Sequence, residues 1–426
     1  MLRGMLPRAL PVLASAIFWT TVIPLAYHHE TMPDVAHAQE RPEDESLPVR
    51  QDIDALCDLV REEYVYFEPR REGWAEACQM ARAEAETAAA ASPAGHLAIL
   101  ERLLDQLWDN HVSLNANSAT SPRLVPSGSD YWLDYRSGIA VVTAVRAGSP
   151  AAGAGLEVGD IVLEMNGVPV IASAIERIRA GRNRVSEARL EWALNAQAAG
   201  VRGDSRTIQI ERNNKALELD LQASGERGTR DGLVSSRRLH GNIGYIRFED
   251  SLGNPETVEA FEAALDELRG VEAWVVDLRN TPGGGNTDVA EPVLGRFISG
   301  VKTYQLSGPR WEGESKRRAA SRGPWRVKGR VAVLAGRWTG SMGEGMAIGF
   351  DGLNRARVFG TPMARLAGGV ESFELPGSGL SVRLPAYDLR HVDGTPRHYW
   401  VPPYRVVADN GNGPDLALEA ALNWLD

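Results

Sequence analysis

Cysteine and histidine are scarce in this chain, and their scarcity narrows its chemistry first. Two cysteines and eight histidines are spread over 426 residues. Two cysteines make no metal site, and there is no HExxH pair and no cluster with credible ligand spacing. The two commonest glycine-loop nucleotide motifs, GxGxxG and GxxxxGK[ST], are also missing. Positive charge is not concentrated anywhere. The 46 Lys and Arg against 56 Asp and Glu leave a net charge of −10, with no stripe for nucleic acid and no polybasic patch for a membrane surface.

What is present begins with a leader. Arg3 and Arg8 precede an uncharged run from Ala9 to Tyr27, and Ala36-His37-Ala38 reads as a small-x-small cleavage site before Gln39. The run is long for a signal peptide and contains Pro11 and Pro24, so an uncleaved anchor is the rival to a signal peptide over 1–38. Either places the folded part outside the cytoplasm. Cys57 and Cys78 fit that location as one disulfide, and fit equally as two buried thiols.

The pattern from Asp52 to Leu107 is that of about three amphipathic helices, with Ser92-Pro93 as a helix start. From about Tyr135 to Leu221 the chain reads as a small strand-rich unit. Hairpin turns are expected at Asn166-Gly167 and Asn213-Asn214, and Glu191–Val201 reads as an insertion. One exposed strand edge beside a helix would let this unit accept an extended peptide. From Gly241 onward strands alternate with helices, interrupted by a polar excursion over Ser307–Lys328, which predicts an α/β unit with a partly parallel sheet.

The stretch "RVAVLAGRWTGSMGEGMAIGF" is the most telling. The apolar strand ends in glycines around Ser341 and passes directly into a helix. Ser341 is either the cap of that helix or a nucleophile at its electropositive end. It does not sit in a GxSxG elbow, because Thr339 stands where glycine is required. A nucleophile needs a base, and outside the leader the histidines are His96, His111, His240, His391 and His398. The turn "DLRNTPGGG", Asp277–Gly285, supplies bare N–H groups that suit an anion or an oxyanion hole.

The order of parts resembles the S41 peptidases, the C-terminal processing and tricorn core protease-like group. It runs through helices, "DNHVSLN", the PDZ-like "GSPAAGAGLEVGDIVLEMNG", "VVDLRNTPGGG" and "TGSMGEG". The resemblance implies an α/β chain: an N-terminal helical domain (39–134) carrying His111, a PDZ-like domain (135–221), and a peptidase core (235–426) resembling a ClpP/crotonase-like fold. It implies Ser341 as nucleophile and His111 as base. The oxyanion would be held by N–H groups of Met342 and of Gly284 or Gly285, and peptide would be bound at the "SGIA" turn around Gly138 and Ile139. It implies no metal or organic cofactor. The lysine base of the processing branch is missing, since no lysine follows Lys328 and Arg365 stays protonated.

Two departures remain. Asn110 replaces a serine before the histidine, and "RHYWVPPYRVV" lacks the late glutamate that helps orient the base. Asn110 or Glu344 is then the candidate orienting group. The expected function is an exported (periplasmic or extracellular) serine endopeptidase acting on protein or peptide substrates, captured by their C-terminus. The alternatives are an inert PDZ-containing peptide-binding protein and a hydrolase of small esters or non-peptide ligands in the same cleft.

Overall fold

The computed structural model describes residues 47–87, 92–178, 185–223, 232–309, 315–407, 411 and 413–426, so the signal-peptide reading of 1–38 lies outside the described residues. No described helix is long and apolar enough to cross a membrane.

The chain begins with α1 (Leu47–Glu63), α2 (Phe67–Arg70), α3 (Trp74–Ala85) and α4 (Pro93–Asp105). The single turn α2 is additional to the three helices the periodicity predicts. Ser92 caps α4, its hydroxyl accepting from the Gly95 N–H at 3.0 Å. The apolar stripes converge, with Ile53, Leu56 and Val60 in one cluster with Ala77, Ala81, Leu100 and Leu103. Each large aliphatic side chain buried there contributes about 1.5–3 kcal/mol. Cys57 and Cys78 are joined by a disulfide that ties α1 to α3 across a separation of 21 residues. By loop-closure entropy such a link contributes about 3 kcal/mol. Reduction, or the Cys57→Ser/Cys78→Ser pair, is expected to lower the unfolding free energy by that order, as read in denaturant titrations with and without reductant.

After α4, β1 (Ser113–Leu114) leaves for a distant sheet, and a second unit follows. It comprises β2 (Tyr131–Arg136), β3 (Ile139–Val145), α5 (Pro150–Gly153), β4 (Ile161–Met165), β5 (Val168–Pro169), α6 (Val170–Ile178), α7 (Glu187–Ala199), β6 (Arg206–Arg212) and β7 (Lys215–Leu221). The antiparallel order is β2-β3-β4-β6-β7, with β5 on β4. The expected turns close two of its hairpins, with φ of 52° at Asn166, 73° at Gly167, 52° at Asn213 and 60° at Asn214. Two details differ from expectation. The sheet begins at Tyr131 rather than near Tyr135, and the expected insertion Glu191–Val201 is mostly the helix α7.

The remaining elements are β8 (Val234–Leu239), β9 (Ile243–Phe248), α8 (Glu256–Glu267), β10 (Ala273–Asp277), α9 (Thr287–Gly295), β11 (Val301–Pro309), β12 (Ser315–Ala320), β13 (Arg330–Ala335), α10 (Met342–Gly352), β14 (Arg357–Gly360), β15 (Gly369–Glu374), β16 (Ser381–Arg390), β17 (Tyr404–Arg405) and α11 (Leu416–Leu425). Strands order as β17-β14-β13-β10-β9-β8, parallel from β9 to β17. The central strands are apolar on both faces, as a sheet covered on both sides requires, with β10 buried throughout. A second sheet runs β1-β16-β11-β12, with β15 on β16. The expected polar excursion thus contains β12, paired antiparallel with β11.

This second sheet brings the two ends of the site together. β1 pairs with β16, Ser113 opposite Arg383, while Leu375, Val382 and Leu384 join the helical core. His111, two residues before β1, is thereby carried to the carboxyl ends of the parallel strands. Ligands of open α/β sheets bind at that end.

Candidate active site

The turn after β13 is set by two glycine-bearing loops packed on each other. The Gly340 N–H donates to the Thr281 carbonyl at 2.8 Å, and Thr281 bridges Thr339. A Cβ on Gly340 would lie 2.7 Å from the Pro282 oxygen, so the approach requires glycine. Ser341 itself has φ 51° and ψ −112°, a conformation costing a serine about 1–3 kcal/mol. It is held there by Glu344, whose Oε2 accepts from the Ser341 N–H at 2.8 Å. Ser341 and Glu344 together form a capping box at the start of α10, so the helix-cap and nucleophile readings meet in one residue. His111 Nε2 lies 3.1 Å from Ser341 Oγ.

On its other side the imidazole is fixed by main chain. Nδ1 lies 2.7 Å from the Ala367 carbonyl, which can only accept, so Nδ1 carries the proton and Nε2 presents its lone pair to Ser341. The loop of His111 is anchored by Asp109, buried, whose Oδ1 accepts from the His111 N–H at 2.9 Å and whose Oδ2 accepts from Tyr64 at 2.6 Å. Burial first, and the Arg397 charge second, lower the His111 imidazole to about 4, against the Ala367 carbonyl, Asp109 and a backbone hydrogen bond to Gly368, which raise it. A neutral imidazole beside a serine hydroxyl at a helix N-terminus is equipped to take that hydroxyl's proton.

Both expected orienting groups act differently. Asn110 makes no hydrogen bond to the ring and instead helps line a cavity of about 270 Å³ below the His111 loop. Glu344, 1% exposed, does not touch the imidazole. It accepts from the N–H groups of Ser341, Arg365 (3.0 Å) and Leu366 (3.2 Å), clamping the serine turn to the loop that bears the Ala367 carbonyl. Burial raises its carboxyl to about 7, opposed by Arg397 and the three N–H groups.

The oxyanion candidates are adjacent. Met342 is the first residue of α10, so its N–H has no intrahelical acceptor. Gly285 packs against it, and a Cβ there would come within 2.9 Å of the Met342 Cβ and of the Leu252 carbonyl. Gly284 has φ 74°, and its carbonyl accepts from the Leu252 N–H. Three other histidines are engaged elsewhere, and His240 is exposed at the end of β8. His96 faces Asp52, His391 lies between Asp351 and Asp393, and His398 packs on Tyr66 and Tyr399.

Ser137 and Gly138 form the β2–β3 turn, and Ile139, 40% exposed, opens β3 opposite Arg136. The edge of β2 expected to be free beside a helix is occupied at Leu133. Helix α7 lies along β2, and the buried Asn195 side chain accepts from the Leu133 N–H at 2.9 Å and donates to the Leu133 carbonyl at 2.7 Å. A side-chain amide thus takes both backbone groups that an added strand would use there.

Three functional groups escape a side-chain reading of the sequence: the Ala367 carbonyl, Asp109 and Arg397. A carbonyl has no residue signature. Asp109 was signalled only by its place two residues before His111 in "DNH". Arg397 opens the acid-free segment "RHYWVPPYRVV".

Residues 242–403 match peptidase family S41, and residues 141–188 match the PDZ domain. No curated protein matches the chain in sequence. Among solved structures, the chain is similar to the photosystem II D1 C-terminal processing protease, at 18% identity over 90% of this chain and 97% of that one, with a TM-score of 0.53. It is similar also to mature CPAF, at 14% identity over 90% and 96% of the two chains, with a TM-score of 0.59. At these identities the likeness shows a shared fold.

Proposed function

Starting from a chain that carries a serine-peptidase domain of family S41 and a PDZ domain, we propose that it is an exported endopeptidase working through Ser341 and His111. The observation that carries this reading is the 3.1 Å contact between His111 Nε2 and the hydroxyl of a strained serine at a helix start. Ser341 Oγ attacks the scissile carbonyl carbon while its proton passes to His111 Nε2. The oxyanion is stabilised by the N–H groups of Met342 and of Gly284 or Gly285. Collapse expels the amine, which takes the proton from His111. Water, deprotonated by the same nitrogen, then attacks the acyl carbon, and the proton passes from His111 to the departing Ser341 Oγ as the acid is released.

The domain reading 39–134, 135–221 and 235–426, with a ClpP/crotonase-like core, belongs to the same proposal and is supported by the parallel sheet β9-β10-β13-β14 under the serine turn. Export is supported by the leader's charge pattern and by the Cys57–Cys78 disulfide, which suits an oxidising compartment. For the substrate we favour capture of a chain end at the exposed β2–β3 turn around Gly138 and Ile139 over strand addition along β2, because Asn195 occupies Leu133. The test is labelling by a fluorophosphonate probe. Mass spectrometry is expected to place the adduct on Ser341, and an adduct on another residue in an enzyme that cuts peptides would overturn the assignment.

A further inference from the structure

The Ala367 carbonyl belongs to the loop between β14 and β15, and nothing in the local backbone of that loop aims it at an imidazole. Arg365 has φ 62° and Gly368 φ 58°, so the loop holds two left-handed residues, one of them bearing a side chain. Such a conformation persists only where its surroundings over-determine it. From one side Glu344 takes the N–H groups of Arg365 and Leu366. From the other side Arg397, 1% exposed, donates from Nη2 to the Leu366 carbonyl at 2.9 Å and to the Gly368 carbonyl at 2.6 Å. These are the carbonyls on either side of Ala367. With both neighbours held by the guanidinium, the Ala367 carbonyl between them takes the short contact to His111 Nδ1, at 2.7 Å, and the Gly368 backbone adds a further hydrogen bond to the ring.

We propose that Arg397 is the positioning residue of the base, fixing the Ala367 carbonyl so that the main chain takes the part a third catalytic side chain would play. This rests on the Ser341–His111 reading and extends it to how the base is held. The planar guanidinium suits the task, because its donors are rigidly spaced and permanently protonated. A lysine keeps the charge and loses the two fixed in-plane N–H directions of Nη2. The charged groups around His111 come from three elements: Arg397 from the segment after β16, Asp109 from its own loop, and Glu344 from α10. Asp109 is further gathered among Tyr64, Tyr66 and Arg70. Arg397 acts on the imidazole in two ways: through Ala367 it orients the ring, and by its charge it disfavours the imidazolium.

The experiment compares wild type, Arg397→Gln and Arg397→Lys by peptide kinetics and by NMR of the His111 ring. Arg397→Gln is expected to lower kcat by roughly 10- to 100-fold with KM little changed, the scale for a reacting group misplaced by about 1 Å. In the same variant the His111 titration is expected to move up and its Nδ1–H resonance to lose protection. Arg397→Lys is expected to restore part of kcat and to keep the wild-type titration. Full kcat in either variant overturns the proposal, and so does a His111 ring unchanged in Arg397→Gln. Should Arg397→Gln fail to fold, kcat of Arg397→Lys decides alone, since lysine keeps the charge and the orientation of the ring is claimed through the two in-plane N–H groups of Nη2. Should wild type cut no peptide, the endopeptidase reading falls while the ring's response still decides the role of Arg397.

Discussion

Ser341→Ala is expected to reduce peptide cleavage to the level of the assay blank and to remove fluorophosphonate labelling, with folding intact. Where a serine and its base act as a unit, loss of the serine alone costs roughly 10⁶-fold in kcat. The residue left behind still faces the Met342 N–H and the Gly285 turn, so a small rate above that of water, roughly 10³-fold, can survive from oxyanion binding. Stability is expected to fall by no more than the loss of a helix cap, about 0.5–2 kcal/mol, because Ser341 shares a capping box with Glu344 and otherwise faces His111. The backbone strain at φ 51° is not relieved by alanine, so the turn itself should remain. The measurement is cleavage of a quenched fluorescent peptide, with circular dichroism as the folding control. Cleavage by Ser341→Ala within tenfold of wild type would remove Ser341 from the chemistry and direct attention elsewhere in the cleft.

The serine turn was legible because its signals are local. An apolar strand, close-packing glycines and an immediate helix occupy a dozen consecutive residues, and the structure uses them together. The turns at Asn166-Gly167 and Asn213-Asn214 and the cap at Ser92 were readable for the same reason, since each rests on the conformational preference of one or two residues. The misread segments depend on partners remote in sequence. "SKRRAA", β12, has no apolar alternation because it lies at the end of its sheet and is largely exposed, so backbone pairing with β11 defines it. Helix α7 lacks a one-sided stripe because it packs on β2 and on α6, burying Arg189, Leu190, Ala193, Leu194, Asn195 and Ala198 around much of its girth. The partner of the base was least legible of all. A carbonyl belongs to every residue, and only the joint placement of Glu344 and Arg397 marks the one at Ala367.

The pH dependence separates the roles of His111 and Glu344, and its expected form differs from the value near 6.5 that a free histidine suggests. As pH falls, kcat/KM of the wild type is expected to decline in two steps. The upper step is partial and centres near 7, where burial has raised the Glu344 carboxyl. Above it the carboxylate receives the N–H groups of Ser341, Arg365 and Leu366, and protonation weakens that clamp without removing the base. The lower step is complete and centres near 4, where burial and Arg397 have placed the His111 imidazolium. Below it Nε2 carries a proton and cannot accept the one on Ser341. The sign follows for stability as well. The unfolded chain protonates this histidine near 6.5, so burying it neutral contributes stability that is fully present above that value and is lost as pH falls toward about 4. Glu344→Gln is expected to abolish the upper step and keep the lower one. His111→Ala is expected to cost roughly 10²- to 10⁴-fold in kcat/KM and to abolish the lower step. A single limb near 6.5 that survives His111→Ala would assign the base to another group, because no other described histidine lies against Ser341 and the buried His111 has no reason to titrate there.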